Sequence, residues 1–305
     1  MSSRGGRLAL YLGLRSFLGV GGRLPLRLTR AIGPQLSAAA FKLSPRSRQR
    51  IASHLEIAFP ELDQDQREAL KAGCVRHFGL LLAEVAWLWR ARPAQIEAIF
   101  EVEGREHLDT ALEGGRGAMI TTGHCGNWEL LSALLPITGI PLISAVRQLD
   151  DPRLDNLVNT MRIRFGTDIV PRGPAAGRRL ARALGRNGVA ALLIDQDIKD
   201  VPGVFVPFFG RPAWTPSGAA LLAIRMRCPL LPGFSHRRAD GTHKGVLYPP
   251  LPVPTDGTLA DRVEELTASA TAAIEREIRK YPEQWVWMHR RWRTQPEKDV
   301  TRLNV

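Results

Sequence analysis

Cysteine is scarce in this chain: three residues in 305, Cys74, Cys125 and Cys228, far apart in sequence. None of the spacings forms a zinc motif and the number is odd, so the thiols are expected to be reduced, on the cytosolic side of a membrane. Acid is absent from the first fifty residues. Ten cations stand there (Arg4, Arg7, Arg15, Arg23, Arg27, Arg30, Lys42, Arg46, Arg48 and Arg50) without one Asp or Glu. Residues 51–305 carry 32 basic against 30 acidic side chains, so the net charge of +12 is almost wholly N-terminal. Also missing is any uncharged apolar run of the ~20 residues that a membrane span needs. Arg15 breaks the N-terminal run, and Pro136, Gly139 and Pro141 divide the uncharged stretch 130–146 into a helix, a turn and a buried strand. There is no internal repeat and no low-complexity tract.

Between the N-terminal cations lie Leu8, Leu10, Tyr11, Leu12, Leu14, Phe17, Leu18, Val20, Leu24, Leu26 and Leu28. Aliphatic, aromatic and Arg side chains mixed in this way suit a segment lying on an anionic membrane surface. An organelle transit peptide shares the Arg-rich, acid-poor composition, and a nucleic-acid-binding arm shares the charge. A signal peptide fits less well, because its apolar core would contain Arg15. The reading adopted is a basic amphipathic membrane-associating segment, residues 1–50, followed by a catalytic domain, residues 51–305, with no nucleic-acid partner.

With 44% hydrophobic residues the remainder can bury one large core. Residues 51–90 read as helical with a break at 60–63. From residue 100 short apolar runs bounded by Gly or Pro, at 118–122, 142–146, 189–194 and 230–234, suit strands buried on both faces. A further strand is expected at 245–248. Helical patterns separate the runs at 128–135, 154–165, 175–186 and 219–227, and the clearest helix is 259–280. The alternation predicts an α/β fold: a central, mostly parallel sheet flanked by helices, behind an N-terminal helical membrane-associated segment.

Functional groups collect where the strands of such a sheet end. After the first strand comes His124-Cys125-Gly126-Asn127-Trp128-Glu129. Five residues turn a helix through about 500°, so His124 and Glu129 would not share a helical face. They meet only if His124 lies in a turn and Glu129 in the first turn of a following helix, for which Asn127 is a suitable N-cap. The expectation is a general base, His124, with Glu129 fixing its tautomer. Cys125 is the alternative nucleophile, but adjacent side chains diverge, so a small buried thiol is the better reading. Arg147 follows the second strand and reads as a donor to an oxyanion or a phosphate, with Arg164 and Arg172 weaker candidates of the same kind. Asp195-Gln196-Asp197 follows the third. It has the Asp-x-Asp form of metal-dependent glycosyltransferases, but no glycine-rich phosphate loop precedes it, and a capped turn is the commoner meaning. Residues 204–210 read as an apolar loop that offers either an alkyl-chain groove, with Phe208 in its wall, or ordinary core. Near the end Trp285, Trp287 and Trp292 stand among His289, Arg290, Arg291 and Arg293. That mixture suits a membrane interface or a phosphorylated lipid headgroup; the alternatives are single-stranded nucleic acid and a terminal element with its rings packed inward.

Five motifs in order resemble the bacterial lipid A late acyltransferases (the lauroyl/myristoyl transferases), within the wider lysophospholipid acyltransferase superfamily. They are residues 123–129, Arg147, 195–197, 206–210 with 215–218, and 282–292, and the resemblance covers roughly residues 50–297. It implies transfer of an acyl group from acyl carrier protein or coenzyme A to a hydroxyl of a membrane lipid, at the cytoplasmic face of the bacterial inner membrane, without a cofactor. It makes His124 and Glu129 catalytic. Asn127, Arg147, Arg164, Asp195, Asp197, Phe208, Thr215 and Arg290 become substrate-binding candidates, and the turn at Asp195–Asp197 shapes the site without a metal. One departure is the N-terminus, where Arg15 and glycines interrupt the membrane helix usual in the family. A metal-dependent glycosyltransferase using Asp195 and Asp197 and a non-catalytic membrane-binding protein are the competing classes; metal chelation and a His124 substitution separate the three.

Overall fold

A computed structural model describes residues 4–198 and 200–296. The outermost ends of the two expected segments, residues 1–3 and 297–305, lie outside the described residues. The chain opens with four helices, α1 (Arg4–Gly21), α2 (Leu26–Lys42), α3 (Pro45–Ala58) and α4 (Gln64–Leu88). Pro45 starts α3, where a missing N–H costs nothing. Asp63 starts α4 through a capping box with Gln66, so the break expected at 60–63 is a turn and a cap. Then follow α5 (Pro93–Glu97), β1 (Phe100–Glu103), α6 (Arg105–Glu113), β2 (Ala118–Thr122), α7 (Trp128–Ile137), β3 (Leu142–Val146), α8 (Pro152–Arg164), β4 (Asp168–Pro171), α9 (Pro174–Leu184) and β5 (Val189–Leu193). The last part comprises β6 (Gly203–Phe208), β7 (Arg211–Pro216), α10 (Gly218–Met226), β8 (Leu230–Arg237), β9 (His243–Leu247) and α11 (Leu259–Lys280).

Seven strands form one sheet in the order β1-β9-β8-β2-β5-β3-β4. Every neighbouring pair is parallel except β8 and β9, which a short turn joins as a hairpin. Parallel neighbours need a crossover, whereas a short turn can only reverse the chain. Residues of β2 alternate between the two faces. Met119 enters a core with α9, α10, α11 and the C-terminal tryptophans; Ile120 enters a second with α6, α7 and α8.

The α/β architecture is as expected, and the structure adds elements to it. Strands β1 and β4 have four residues each, at the two edges of the sheet. The apolar stretch read as a loop is the first arm of an antiparallel hairpin, β6 with β7. Its two turn residues, Phe209 and Gly210, both have positive φ (50° and 71°), the backbone of a tight two-residue hairpin. The C-terminal tryptophans do not face a membrane. Trp285 and Trp287 are buried, and Trp292 packs between His54 and Phe208, so the inward-packed alternative is the one realised.

The N-terminal helices are joined to the body. Ser37 of α2 donates to the Val75 carbonyl at 2.8 Å, Arg30 pairs with the buried Glu84 on α4, and Phe41 enters the core. Leu18 of α1 is buried with Ala86 and Leu157. The outer faces mix apolar and basic side chains: Leu8, Leu10, Leu12, Val20, Leu28, Ile32, Leu36 and Leu43 are all exposed, Leu43 by 87%, and so are Arg7, Arg15 and Arg27. Among the described residues no helix is long and apolar enough to cross a membrane.

Candidate active site

Strand order reverses at β2. The chain leaves it for β3 and returns to lay β5 between the two, while β8 takes its other side. Loops at the carboxyl ends of β2 and β5 therefore meet, as at other topological switch points. The loop after β2 is held by its backbone. Gly126 has φ +57°, and a Cβ there would lie 2.0 Å from the Ser235 carbonyl oxygen, so only glycine fits. Its N–H donates to the Gln284 carbonyl at 2.8 Å, and the Asn127 N–H donates to Ser235 Oγ at 3.1 Å. Asn127 then caps α7, accepting from the Leu130 N–H at 3.1 Å.

This loop delivers His124 to Asp195. The His124 N–H and Nδ1 each lie 2.8 Å from an Asp195 carboxylate oxygen, Oδ2 and Oδ1 respectively. Trp285 Nε1 donates to the same Oδ2 at 2.8 Å. Burial alone would raise the Asp195 pKa, but the imidazole and these three donors outweigh it and hold the carboxyl well below the usual range. Asp195 is therefore ionised, accepts only, and fixes the proton of His124 on Nδ1. In the neutral ring that tautomer makes the opposite nitrogen, Nε2, the acceptor. Gln196 Nε2 faces it at 3.4 Å, and the Trp128 ring stands edge-on to the imidazole.

Here the expected pairing is corrected. Glu129 does not bond the imidazole. It sits in the first turn of α7 as expected, but its carboxylate is gripped by Arg162 of α8, with Nε at 2.9 Å and Nη2 at 2.5 Å. Burial pushes the Glu129 pKa up; Arg162 chiefly, and His124 in addition, bring it below its ordinary value. Glu129 thus bears on His124 through its charge, while the contact belongs to Asp195.

His124, Trp128, Glu129, Arg162 and Gln196 line one side of a cavity of about 280 Å³. It runs between the sheet and the two helices α7 and α8. Its floor is alternate strand residues, Ile120, Leu142, Ser144, Ile169, Ala191 and Leu193, and Leu131, Leu135 and Val158 cover it. The slot is apolar along its length, with charge gathered near the histidine. Arg147, just beyond β3, and Arg172, just beyond β4, belong to its wall. Burial and the neighbouring Arg147 lower the Arg172 pKa, so two cations lie close together there.

The other candidates are placed elsewhere. Asn127 is fully buried, and its amide donates to Glu84 Oε2 at 2.8 Å, away from the slot, so it is a cap and an anchor instead of a substrate contact. Arg164 points back to the end of α4, donating to the carbonyls of Trp89 and Ala91 at 2.6 and 2.9 Å. Orphan carbonyls at a helix end attract such a cation; the arginine that faces the slot is Arg162, two positions earlier. Asp197 accepts from the Thr294 N–H and hydroxyl and from Arg293, which ties the C-terminal segment down. Both carboxylates of the Asp-x-Asp pattern are thus occupied by protein donors, and among the described residues no cluster of His, Cys, Asp and Glu suits a metal. Phe208 is core, packed on Phe209, Trp285 and Trp292. Thr215 is buried beneath Arg291, which donates to its hydroxyl and to the Trp214 carbonyl, both at 2.6 Å. Arg290 is exposed and lines no part of the slot. Cys125 is buried, and burial with the nearby Asp195 and Glu277 pushes its thiol pKa well up, the opposite of an activated nucleophile.

Sequence reasoning passed over Arg162, Trp285 as partner of Asp195, and Glu84. Arg162 carried no signal, since its carboxylate lies 33 positions away. For Asp195 a signal existed: an acid directly after a buried strand.

Residues 7–294 match the family model described as bacterial lipid A biosynthesis acyltransferase. The chain is 28% identical over 279 residues to the lipid A biosynthesis lauroyltransferase of Escherichia coli K12, covering 90% of this chain and 88% of that one. It is 26% identical over 275 residues, with the same coverage, to the lipid A biosynthesis palmitoleoyltransferase of that organism. A phosphatidylinositol mannoside acyltransferase of Mycobacterium tuberculosis is 29% identical over 197 residues, 63% of this chain and 59% of the other. Among solved structures, the 1-acyl-sn-glycerophosphate acyltransferase of Thermotoga maritima aligns with a TM-score of 0.39 and 16% identity, over 84% of this chain and 99% of that one.

Proposed function

Because the chain belongs to the bacterial lipid A biosynthesis acyltransferases and is an O-acyltransferase acting on a lipid, we propose that His124 is the general base of that transfer. The acyl group comes from a thioester of acyl carrier protein or coenzyme A. It goes to a hydroxyl of a lipid A precursor or a related glycolipid or lysophospholipid. The observation that carries this reading is the pairing of His124 Nδ1 with the ionised Asp195 at 2.8 Å, with Nε2 left toward an apolar slot.

Chemistry follows from that geometry. Nε2 takes the proton of the acceptor hydroxyl as its oxygen attacks the thioester carbonyl. Asp195 stabilises the imidazolium at contact, and Glu129 does so through its charge, from the same side of the slot. Arg147 and Arg172 supply positive charge for the oxyanion or for a substrate phosphate. The tetrahedral intermediate collapses, the C–S bond breaks, and the leaving thiolate takes the proton back from His124. The products are an ester and a thiol, with no acyl-enzyme and no metal.

The slot takes the alkyl tail. At about 280 Å³ it lies at the small end of ligand pockets, which suits one chain and excludes a whole glycolipid. The acceptor headgroup stays outside, at the mouth with His124. Residues 1–50 bring the protein to the anionic cytoplasmic face of the bacterial inner membrane, with the exposed leucines of α1 and α2 in the interface and the arginines among headgroups. The remainder forms the catalytic body.

The test is His124→Ala, assayed for transfer from a defined acyl thioester to a defined lipid acceptor. A loss of at least the ~10²–10⁴-fold typical of a missing general base is expected, with the fold retained. Wild-type rates would overturn the assignment.

A further inference from the structure

Away from the slot, on the far side of α8, the end of α1 meets the end of α4 over a basic depression. Two neighbouring cavities of about 400 and 540 Å³ lie there and share Arg23 and Arg90. Arg15 lines the first, with Tyr11, Trp89, Asn156 and Thr160 around it. Neither cavity has a carboxylate among its lining residues. Arg153 also belongs to the wall, but Asp151 neutralises it at 2.7 Å. The other three arginines form no ion pair among the described residues. Arg15 reaches only the Tyr11 hydroxyl, at 3.1 Å, and Arg23 only the Gly19 carbonyl, at 2.6 Å.

This gathering of like charge is built by packing. A Cβ at Gly21 would lie 2.5 Å from the Ala86 Cβ, and one at Gly22 would lie 3.1 Å from Arg90 Cγ. Glycine at both positions lets the α1 terminus sit directly on α4, which puts Arg23 beside Arg90. Three guanidiniums without a counter-charge repel one another, and an anion with several acceptor oxygens relieves that repulsion. A neutral donor, the Asn156 amide, is also in the wall.

The surroundings say where the anion comes from. Leu8, Leu12, Arg15 and Gly19 recur at the spacing of one helical face. Leu8 and Leu12 are exposed by 44% and 51%. An apolar stripe thus leads straight into the basic depression, which matches the division between the chains and the headgroup of a bilayer lipid. We propose that Arg15, Arg23 and Arg90 form a discrete binding site for the phosphate of an anionic membrane lipid. The opposite face of α8 lines the acyl slot with Val158, Asn159 and Arg162, so a lipid held here lies about one helix diameter, ~10 Å, from it. The site makes no use of His124, and its test reads binding alone, so it stands or falls separately from the catalytic reading.

The experiment is co-sedimentation of the full-length protein with phosphatidylcholine vesicles containing phosphatidylglycerol. Arg23→Ala with Arg90→Ala should weaken the partition by roughly 30-fold, the effect of two arginines at about 1 kcal/mol each. Arg178→Ala with Arg182→Ala removes the same charge from the exposed side of α9, outside residues 1–50, and should cost less than about threefold. Equal losses for the two pairs would mean diffuse attraction by net charge and would overturn the site. Arg23→Lys with Arg90→Lys keeps the charge and should hold most of the binding, and unchanged thermal unfolding identifies a folded variant. If the lysine pair bound as weakly as the alanine pair while folded, the phosphate assignment would fail. Calorimetric titration with inorganic phosphate separates the sources: saturable millimolar binding lost in the alanine pair would assign the cavity to a soluble phosphate ester and overturn the lipid.

Discussion

Replacing Asp195 with Asn changes one atom, and the structure says which way the amide turns. Two donors, the His124 N–H and Trp285 Nε1, converge on Oδ2, whereas only the His124 ring reaches Oδ1. The Asn oxygen goes where two donors need it, since a buried N–H left unpaired costs about 1–3 kcal/mol. Its NH₂ group then faces His124 Nδ1. A donor there requires Nδ1 to accept, so the ring proton moves to Nε2, the atom that takes the substrate proton in the proposed mechanism. The variant should keep its packing and lose the proposed base. In a Ser-His-Asp triad the same wrong-tautomer substitution costs about 10⁴ in kcat, and the expected loss here is of that order, ~5.5 kcal/mol of barrier. Asp195→Ala makes the contrast. It removes all three acceptor contacts and is the less stable protein, yet it leaves the ring free to adopt either tautomer. Alanine should therefore retain more activity than asparagine, the reverse of their stabilities. Single-turnover transfer from an acyl thioester gives the rates, and ring ¹⁵N shifts of His124 give the tautomer. An Asp195→Asn protein with Nδ1 still protonated, or with near-normal turnover, would refute the reasoning.

Other consequences are as direct. Arg162→Ala strands the buried Glu129 carboxylate and should cost about 3–5 kcal/mol in urea unfolding, most of it recovered by adding Glu129→Gln. Cys125→Ala should keep most of the activity, because the thiol is held protonated; mass-spectrometric capture of an acyl group on Cys125 would make the reaction ping-pong instead. Ala191→Leu puts three extra carbons into the floor of the slot and should disfavour the longest acyl donor by roughly tenfold or more against a short one, read as a ratio of kcat/KM. Deleting residues 1–21 should leave a folded protein that binds anionic vesicles poorly. Deletion through residue 45 also removes Arg30 from Glu84 and Phe41 from the core, and circular dichroism should then report a damaged fold.

What was legible in the sequence divides by range. Runs buried on both faces declared themselves, so β2 and β3 begin and end where their apolar residues do, and α11 spans the whole of its pattern. The cap of α7 was equally local: an Asn two positions before a Glu, ahead of an apolar stretch, describes a helix start by itself. Edge strands β1 and β4 gave no such signal, because four residues at the rim of a sheet need only one buried side chain each. The hairpin β6–β7 hid behind a turn whose first residue, Phe209, is not one that normally takes positive φ.

For the site the limit was partnership. His124, Glu129 and Asp195 were all named from sequence, and all three lie at the same end of the sheet. Which carboxylate touches the imidazole depends on β5 lying beside β2, a fact of strand order that no local pattern carries. Proximity in sequence favoured Glu129, five residues from His124; the crossover favoured Asp195, 71 residues away. The same rule explains the arginines. Arg164 and Arg290 were chosen by neighbourhood, but helix phase decides which cation of a pair turns inward. Rotation by two residues, about 200°, gives the carboxylate to Arg162 and sends Arg164 to the end of α4. One position separates Arg291, buried under Phe208, from the exposed Arg290. A motif thus nominates the residue types, and the packing of the elements assigns each one its partner.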